Sequence, residues 1–164
     1  MHVGAGVDLQ RPVHLLFVTT AEAAGTVTHP RNLIVVERGA RASVIESYVS
    51  LAEGLTYWTN PVTEVVVGAG SWLEHSRIQR ESETGYHVGL THVDQQRDSH
   101  YRSFSMAMGG ALARHNLHVR LNDENIETLM YGLYLTRGRQ VVDNHTAIYH
   151  DRPNCRSWEV YKGV

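Results

Sequence analysis

The chain has 164 residues, 42% hydrophobic and 20% charged, with a formal net charge of −2. That length supplies one core and gives no reason to expect two, and the composition excludes a disordered chain. Only one lysine, Lys162, is present and no run of one sign occurs, so a phosphate-binding, nucleic-acid-recognising surface is not expected.

Residues 1–11 contain glycine and have weak patterning, and are expected to be a weakly ordered N-terminal segment ahead of one domain spanning 12–164. Val13 to Thr20 forms the first strand-like run, too short and too poorly flanked for a signal peptide. A small, polar loop follows to His29-Pro30. Asn32 to Glu37 and Ala42 to Tyr48 are β-prone runs separated by a turn at Arg38-Gly39-Ala40. Tyr57 to Val67 and Ser71 to Arg80 repeat the arrangement around Gly68-Ala69-Gly70. Beyond the polar loop at Glu81 to Gly85, alternation resumes at Tyr86, at Phe104, at Leu117 and at Leu129.

Apolar residues nowhere recur at helical spacing over several turns, so the chain is expected to be all-β. Four modules align on Ala42, Ser71, Ala111 and Gln140, at offsets of 29, 40 and 29 residues. A period of about 20 to 50 residues built from strands and turns points to a solenoid, with a sandwich or barrel as the competing architecture. In this alignment His75 and His115 occupy one column and are expected to stack as a ladder without a ligand. Leu117, Val119, Leu121, Leu129, Tyr131, Leu133 and Leu135 are the expected inward residues of the last two coils. The chain stops within a strand at Val164, so its C-terminal end is expected to be truncated or covered by a partner.

No stretch approaches the roughly 20 apolar residues of a membrane helix, and no membrane association is expected. The single cysteine, Cys155, has no intramolecular disulfide partner and fits a reducing cytoplasm. Eleven histidines make metal binding worth weighing, yet none has the spacing of a zinc site. His145, His150 and Cys155 are the only candidate metal or thiol group. Exposed or hydrogen-bonded histidines and a buried thiol are the plainer reading, because no base is positioned to activate the sulfur. No phosphate-cradling loop, dinucleotide fingerprint or nucleophile elbow occurs, so no catalytic or cofactor-binding residue is expected.

The strings "HPRNLIVVERGARASVIESYV", "TNPVTEVVVGAGSWLEHSRIQRES", "HVGLTHVDQQRDSHYRSFSMAMGGALARHNLHVRL" and "GLYLTRGRQVVDNHTAIYH" resemble the SufB/SufD family of iron–sulfur cluster assembly proteins, SufD more than SufB. The resemblance runs from about Pro12 to Val164. It implies a right-handed parallel β-helix and a non-catalytic scaffold role beside SufB-like and SufC-like ATPase subunits. It also implies that the cluster belongs to the full complex, the proposed cluster-building residues lying beyond Val164, and that no cofactor is bound by this segment. In isolation a homodimer is expected. Two readings compete: a β-helical carbohydrate-active enzyme, for which only Arg114, Arg120 and Asp143 offer suitable groups, and a histidine-rich metal-binding β-barrel.

Overall fold

A computed structural model describes residues 1–164. The chain forms β1 (His2–Val3), β2 (Val13–Thr19), β3 (Val27–Thr28), β4 (Arg31–Val36), β5 (Arg41–Ser50), β6 (Trp58–Thr59) and β7 (Val62–Val67). It continues as β8 (Trp72–Arg80), β9 (Tyr86–Gln95), β10 (His100–Ala107), β11 (Leu112–Leu121), β12 (Glu127–Tyr134), β13 (Val141–His150) and β14 (Arg156–Gly163). One 3₁₀ turn, Ala21–Ala23, lies between β2 and β3.

From β8 onward the chain alternates between two sheets at every strand. One sheet runs β2-β5-β8-β10-β12-β14; the other runs β1-β4-β7-β9-β11-β13, with β3 and β6 beside it. Every pairing is parallel. A parallel neighbour is reached only through a crossover, and here the crossover is the strand of the opposite sheet. The result is a β-solenoid, as the repeats and the resemblance implied.

The register gives the true period. Trp72 lies against His100, His100 against Glu127 and Glu127 against Arg156, advances of 28, 27 and 29 residues. The 40-residue offset is therefore a misalignment. Ala111 bonds to the backbone of Gly85 and shares no corner with Ser71. His75 and His115 accordingly lie on opposite sheets and form no ladder; their register neighbours are Ser103 and Gly89.

One corner repeats without error. Gly39, Gly70, Asp98, Asn125 and Asn154 all have positive φ, and the first four follow one another along a hydrogen-bonded backbone column. Left-handed backbone is open to Gly and, among other residues, is best tolerated by Asn and Asp. Asn125 also donates to the Asp98 carboxylate at 2.7 Å, tying adjacent coils.

Ile34, Val36, Val65, Val67, Val93, Val119 and Leu121 pack against Ala42, Val44, Leu73, Tyr101 and Met130 in one apolar half of the interior. Leu117, Val119 and Leu121 are buried as expected. In β12 the phase is opposite to expectation: Thr128, Met130 and Gly132 point inward, while Leu129, Tyr131 and Leu133 are half-buried on the outer face and Leu135 is exposed. The cause lies in β10, where Ser103 and Ser105 fill the inside and Phe104 and Met106 the outside. With apolar residues on both faces, alternation alone does not tell in from out. The first eleven residues lie against the solenoid: β1 pairs with β4, Val3 is buried, and Asp8 bridges to Arg41.

Candidate functional site

The other half of the interior is polar. On β8, strand alternation sends Leu73, His75, Arg77 and Gln79 inward together, and on β5 it does the same for Val44, Glu46 and Tyr48. Register places Glu46 beside Arg77 and Tyr48 beside Gln79. From the facing sheet come Thr63, His87, Thr91 and His115, all buried. Ionisable groups this deep persist only where hydrogen bonds and opposite charge replace water.

Glu46 is the first hub. Its carboxylate accepts from Tyr48 Oη at 2.9 Å, Thr63 Oγ1 at 2.8 Å and His75 Nε2 at 3.2 Å. Burial pushes the carboxyl up, but the His75 hydrogen bond and charge, with the two hydroxyls, outweigh it and hold the group at about 2. The other nitrogen of His75 lies 3.0 Å from Tyr101 Oη. Burial drives both Tyr48 and Tyr101 upward, so each phenol remains a donor.

Arg77, His87 and Glu81 make the second group. The guanidinium donates to His87 Nε2, and Nδ1 of the same ring donates to Glu81 Oε2 at 2.5 Å. An imidazole nitrogen that accepts carries no proton, so His87 is neutral. Burial and the adjacent guanidinium both hold its pKa down. Glu81 also accepts from Thr59 Oγ1 at 2.7 Å and Gln79 Nε2 at 3.1 Å. Burial raises its carboxyl, and these donors more than reverse the rise, leaving it ionised. The Arg77 guanidinium lies 5.5 Å from the Tyr48 ring centre, and Tyr48 stacks on Phe17 at 4.7 Å.

His115 is the third element, with Nε2 3.0 Å from Thr91 Oγ1 and Nδ1 3.4 Å from Ser105 Oγ. Burial first, and the Arg77 charge next, lower its pKa well below the ordinary imidazole value. Together the three groups hold a guanidinium and two carboxylates in fixed orientation. A cleft of about 440 Å³, bounded by Phe17, Thr19, Thr28, Tyr48 and Thr59, reaches this network at Glu81.

The residues singled out from sequence lie elsewhere. His145 is exposed on the outer face of β13, its ring 6.1 Å from that of His118. Burial, then the charges of His145 and His92, lower the His118 pKa. His150 closes β13 and pairs with Ser157 Oγ at 3.1 Å. Cys155 is half-buried in the turn before β14 and donates to the Asp123 carbonyl at 3.1 Å. These three are not brought together, and no group of three or more His, Cys, Asp or Glu is arranged to hold a metal ion. Arg114 pairs with Asp143, and Arg120 with Asp151 at 2.6 Å, on the outer face; none of them lines the cleft. Sequence reasoning missed Glu46, Arg77 and Glu81. Their signal was parity: on β8, His75, Arg77 and Gln79 share the phase of Leu73.

Residues 17–164 match the family model described as SUF system FeS cluster assembly, SufBD core domain. The chain is 32% identical, over 99% of its length and 37% of the relative's, to an iron–sulfur cluster assembly SufBD family protein of Synechocystis sp.. It is also 32% identical to the chloroplastic protein ABCI7 of Arabidopsis thaliana, over 100% of its own length and 36% of the relative's. Iron-sulfur cluster assembly protein SufD of Escherichia coli is 28% identical over 94% of this chain and 37% of that protein. The chain thus spans little more than a third of these relatives.

Proposed function

Because the chain belongs to the SufBD core family of the SUF iron–sulfur cluster assembly system, we propose that it is the β-helical core of a SufD-like, non-catalytic scaffold subunit. The observation that carries this reading is the match over residues 17–164, which covers both sheets of the solenoid. A rigid stack of parallel strands suits a scaffold, since each coil fixes the next through a complete backbone ladder. The likeness to SufD of Escherichia coli supports a SufD-like assignment, with a SufB-like subunit and a SufC-like ATPase as partners. In this reading the iron–sulfur cluster is cargo of the whole complex, no cluster ligand is assigned to this chain, and the free thiol of Cys155 fits a cytoplasmic setting.

Co-expression with a SufB-like and a SufC-like subunit from one source tests the proposal. The expected result is co-elution of this chain with the SufB-like subunit at equal stoichiometry. A SufB–SufC assembly that forms while this chain elutes alone would overturn it.

A further inference from the structure

Glu81 is buried, yet its side chain lines the cleft at the edge of the polar interior. Its Oε2 is turned to His87 and Gln79, while Oε1 takes a single donor, the Thr59 hydroxyl. A carboxylate oxygen offers two lone pairs, so Oε1 retains one acceptor position. The same side chain lines the cleft, whose walls carry the hydroxyl-bearing Thr19 and Thr28 and the ring of Phe17. His87 is the only group at ion-pair distance from Glu81, and accepting from Arg77 keeps it uncharged. The Arg77 cation lies one imidazole ring further away. An anion at the base of a cleft directs its field outward along that cleft.

We propose that this cleft is a binding site for a small organic cation, an alkylammonium or alkylguanidinium, with Glu81 as its counter-ion. The charged head donates to the free lone pair of Oε1, beside the contact already made by Thr59. The alkyl stem lies along Phe17, an aromatic surface that favours both methylenes and an adjacent positive charge. The cleft volume falls in the usual range for small-ligand sites, about 300 to 1,000 Å³. A bare metal ion is disfavoured here, because Glu81 brings no second carboxylate or free imidazole to the cleft.

The test is a titration of the whole chain, followed by two-dimensional NMR, with n-butylammonium and n-butylguanidinium chloride. n-Butanol serves as the uncharged match. Saturable shifts at Phe17, Thr28 and Thr59 are expected for both cations, with n-butanol at least about tenfold weaker. Glu81→Gln should weaken the cations by a similar factor while leaving n-butanol unchanged. Since Glu81 belongs to a buried network, Thr28→Trp is the second variant. Thr28 is exposed, so the substitution fills the cleft mouth without touching the carboxylate, and it should abolish binding at unchanged Tm. Equal binding of n-butanol, undiminished binding by Thr28→Trp, or no saturable shift at tens of millimolar cation would each overturn the proposal. None of these outcomes bears on the scaffold role.

Discussion

His87 stands 2.5 Å from Glu81 through Nδ1 and accepts the Arg77 guanidinium at Nε2, so a neutral ring separates a buried cation from a buried anion. The arrangement keeps Arg77 and Glu81 out of direct contact yet gives each charge a partner. Losing one member strands the others, and breaking such a network costs about 3–5 kcal/mol.

Glu46 predicts an acid limit. Its folded pKa is about 2 against 4.5 in the open chain, so the native state takes up this proton later than the unfolded state. The stability involved is on the order of 3 kcal/mol, present in full above pH 4.5 and lost as pH falls towards 2. Urea midpoints measured downward from pH 6 should drop below 4.5, with a flatter decline in Glu46→Gln. Equal slopes would remove Glu46 as the cause.

His115 acts in a higher window. Burial keeps its folded pKa well below 6.5, so the unfolded chain binds its proton first as the solution is acidified. Stability from this group is complete above 6.5 and decreases below it, before the Glu46 carboxyl begins to titrate. Tm recorded from pH 7.5 to 5 should slope downward, and His115→Leu should flatten that slope even if it lowers Tm at pH 7.5. An unaltered slope would contradict the placement of this ring.

The phase of β12 is tested by a pair of substitutions. Met130 is fully buried, and an unpaired carboxylate there costs several kcal/mol, enough to unfold the domain. Leu133 lies on the outer face, so Leu133→Asp should cost about 1 kcal/mol and leave the chain folded. Circular dichroism melting separates them; the reverse order of damage would mean that the strand faces the other way.

Gly132 is set by its neighbour. A Cβ at this position would overlap the Tyr161 ring, which covers the glycine from the next coil. Gly132→Ala should destabilise by about 1–3 kcal/mol through forced repacking. Adding Tyr161→Ala should cost less than it does in the wild type, a coupling read from a double-mutant cycle. Additive losses would show that the two residues do not meet.

Self-association is expected of the isolated chain. β13 and β14 each have one strand neighbour, leaving a row of backbone donors and acceptors open to another strand. A two-fold dimer pairing like edges is the simplest outcome. Light scattering over a dilution series checks it, and a monomer of 18.4 kDa throughout would reject it.

Much of the architecture was written locally. Gly39 and Gly70 mark one corner by composition alone, because left-handed backbone selects glycine. Asp98, Asn125 and Asn154 hold the same corner but are common in any loop, so they do not announce the period near 28 as the two glycines do. The resemblance to the SufB/SufD family was likewise legible as a string, since long ordered matches do not depend on which way a side chain points.

An all-β chain of turn-punctuated repeats is legible from local order, because alternation and left-handed corners are properties of neighbouring residues. Packing in three dimensions settled which face of each strand is inside. In β10 and β12 serines, threonine and glycine lie within while Phe104, Tyr131 and Leu133 lie without, the opposite of what hydrophobicity alone selects. It alone also brought Glu46, His75, Arg77, Glu81, His87 and His115 into one interior. Partners such as Glu46 and His75 stand 29 residues apart in the chain, and a contact across a coil is set by register, which no local pattern encodes.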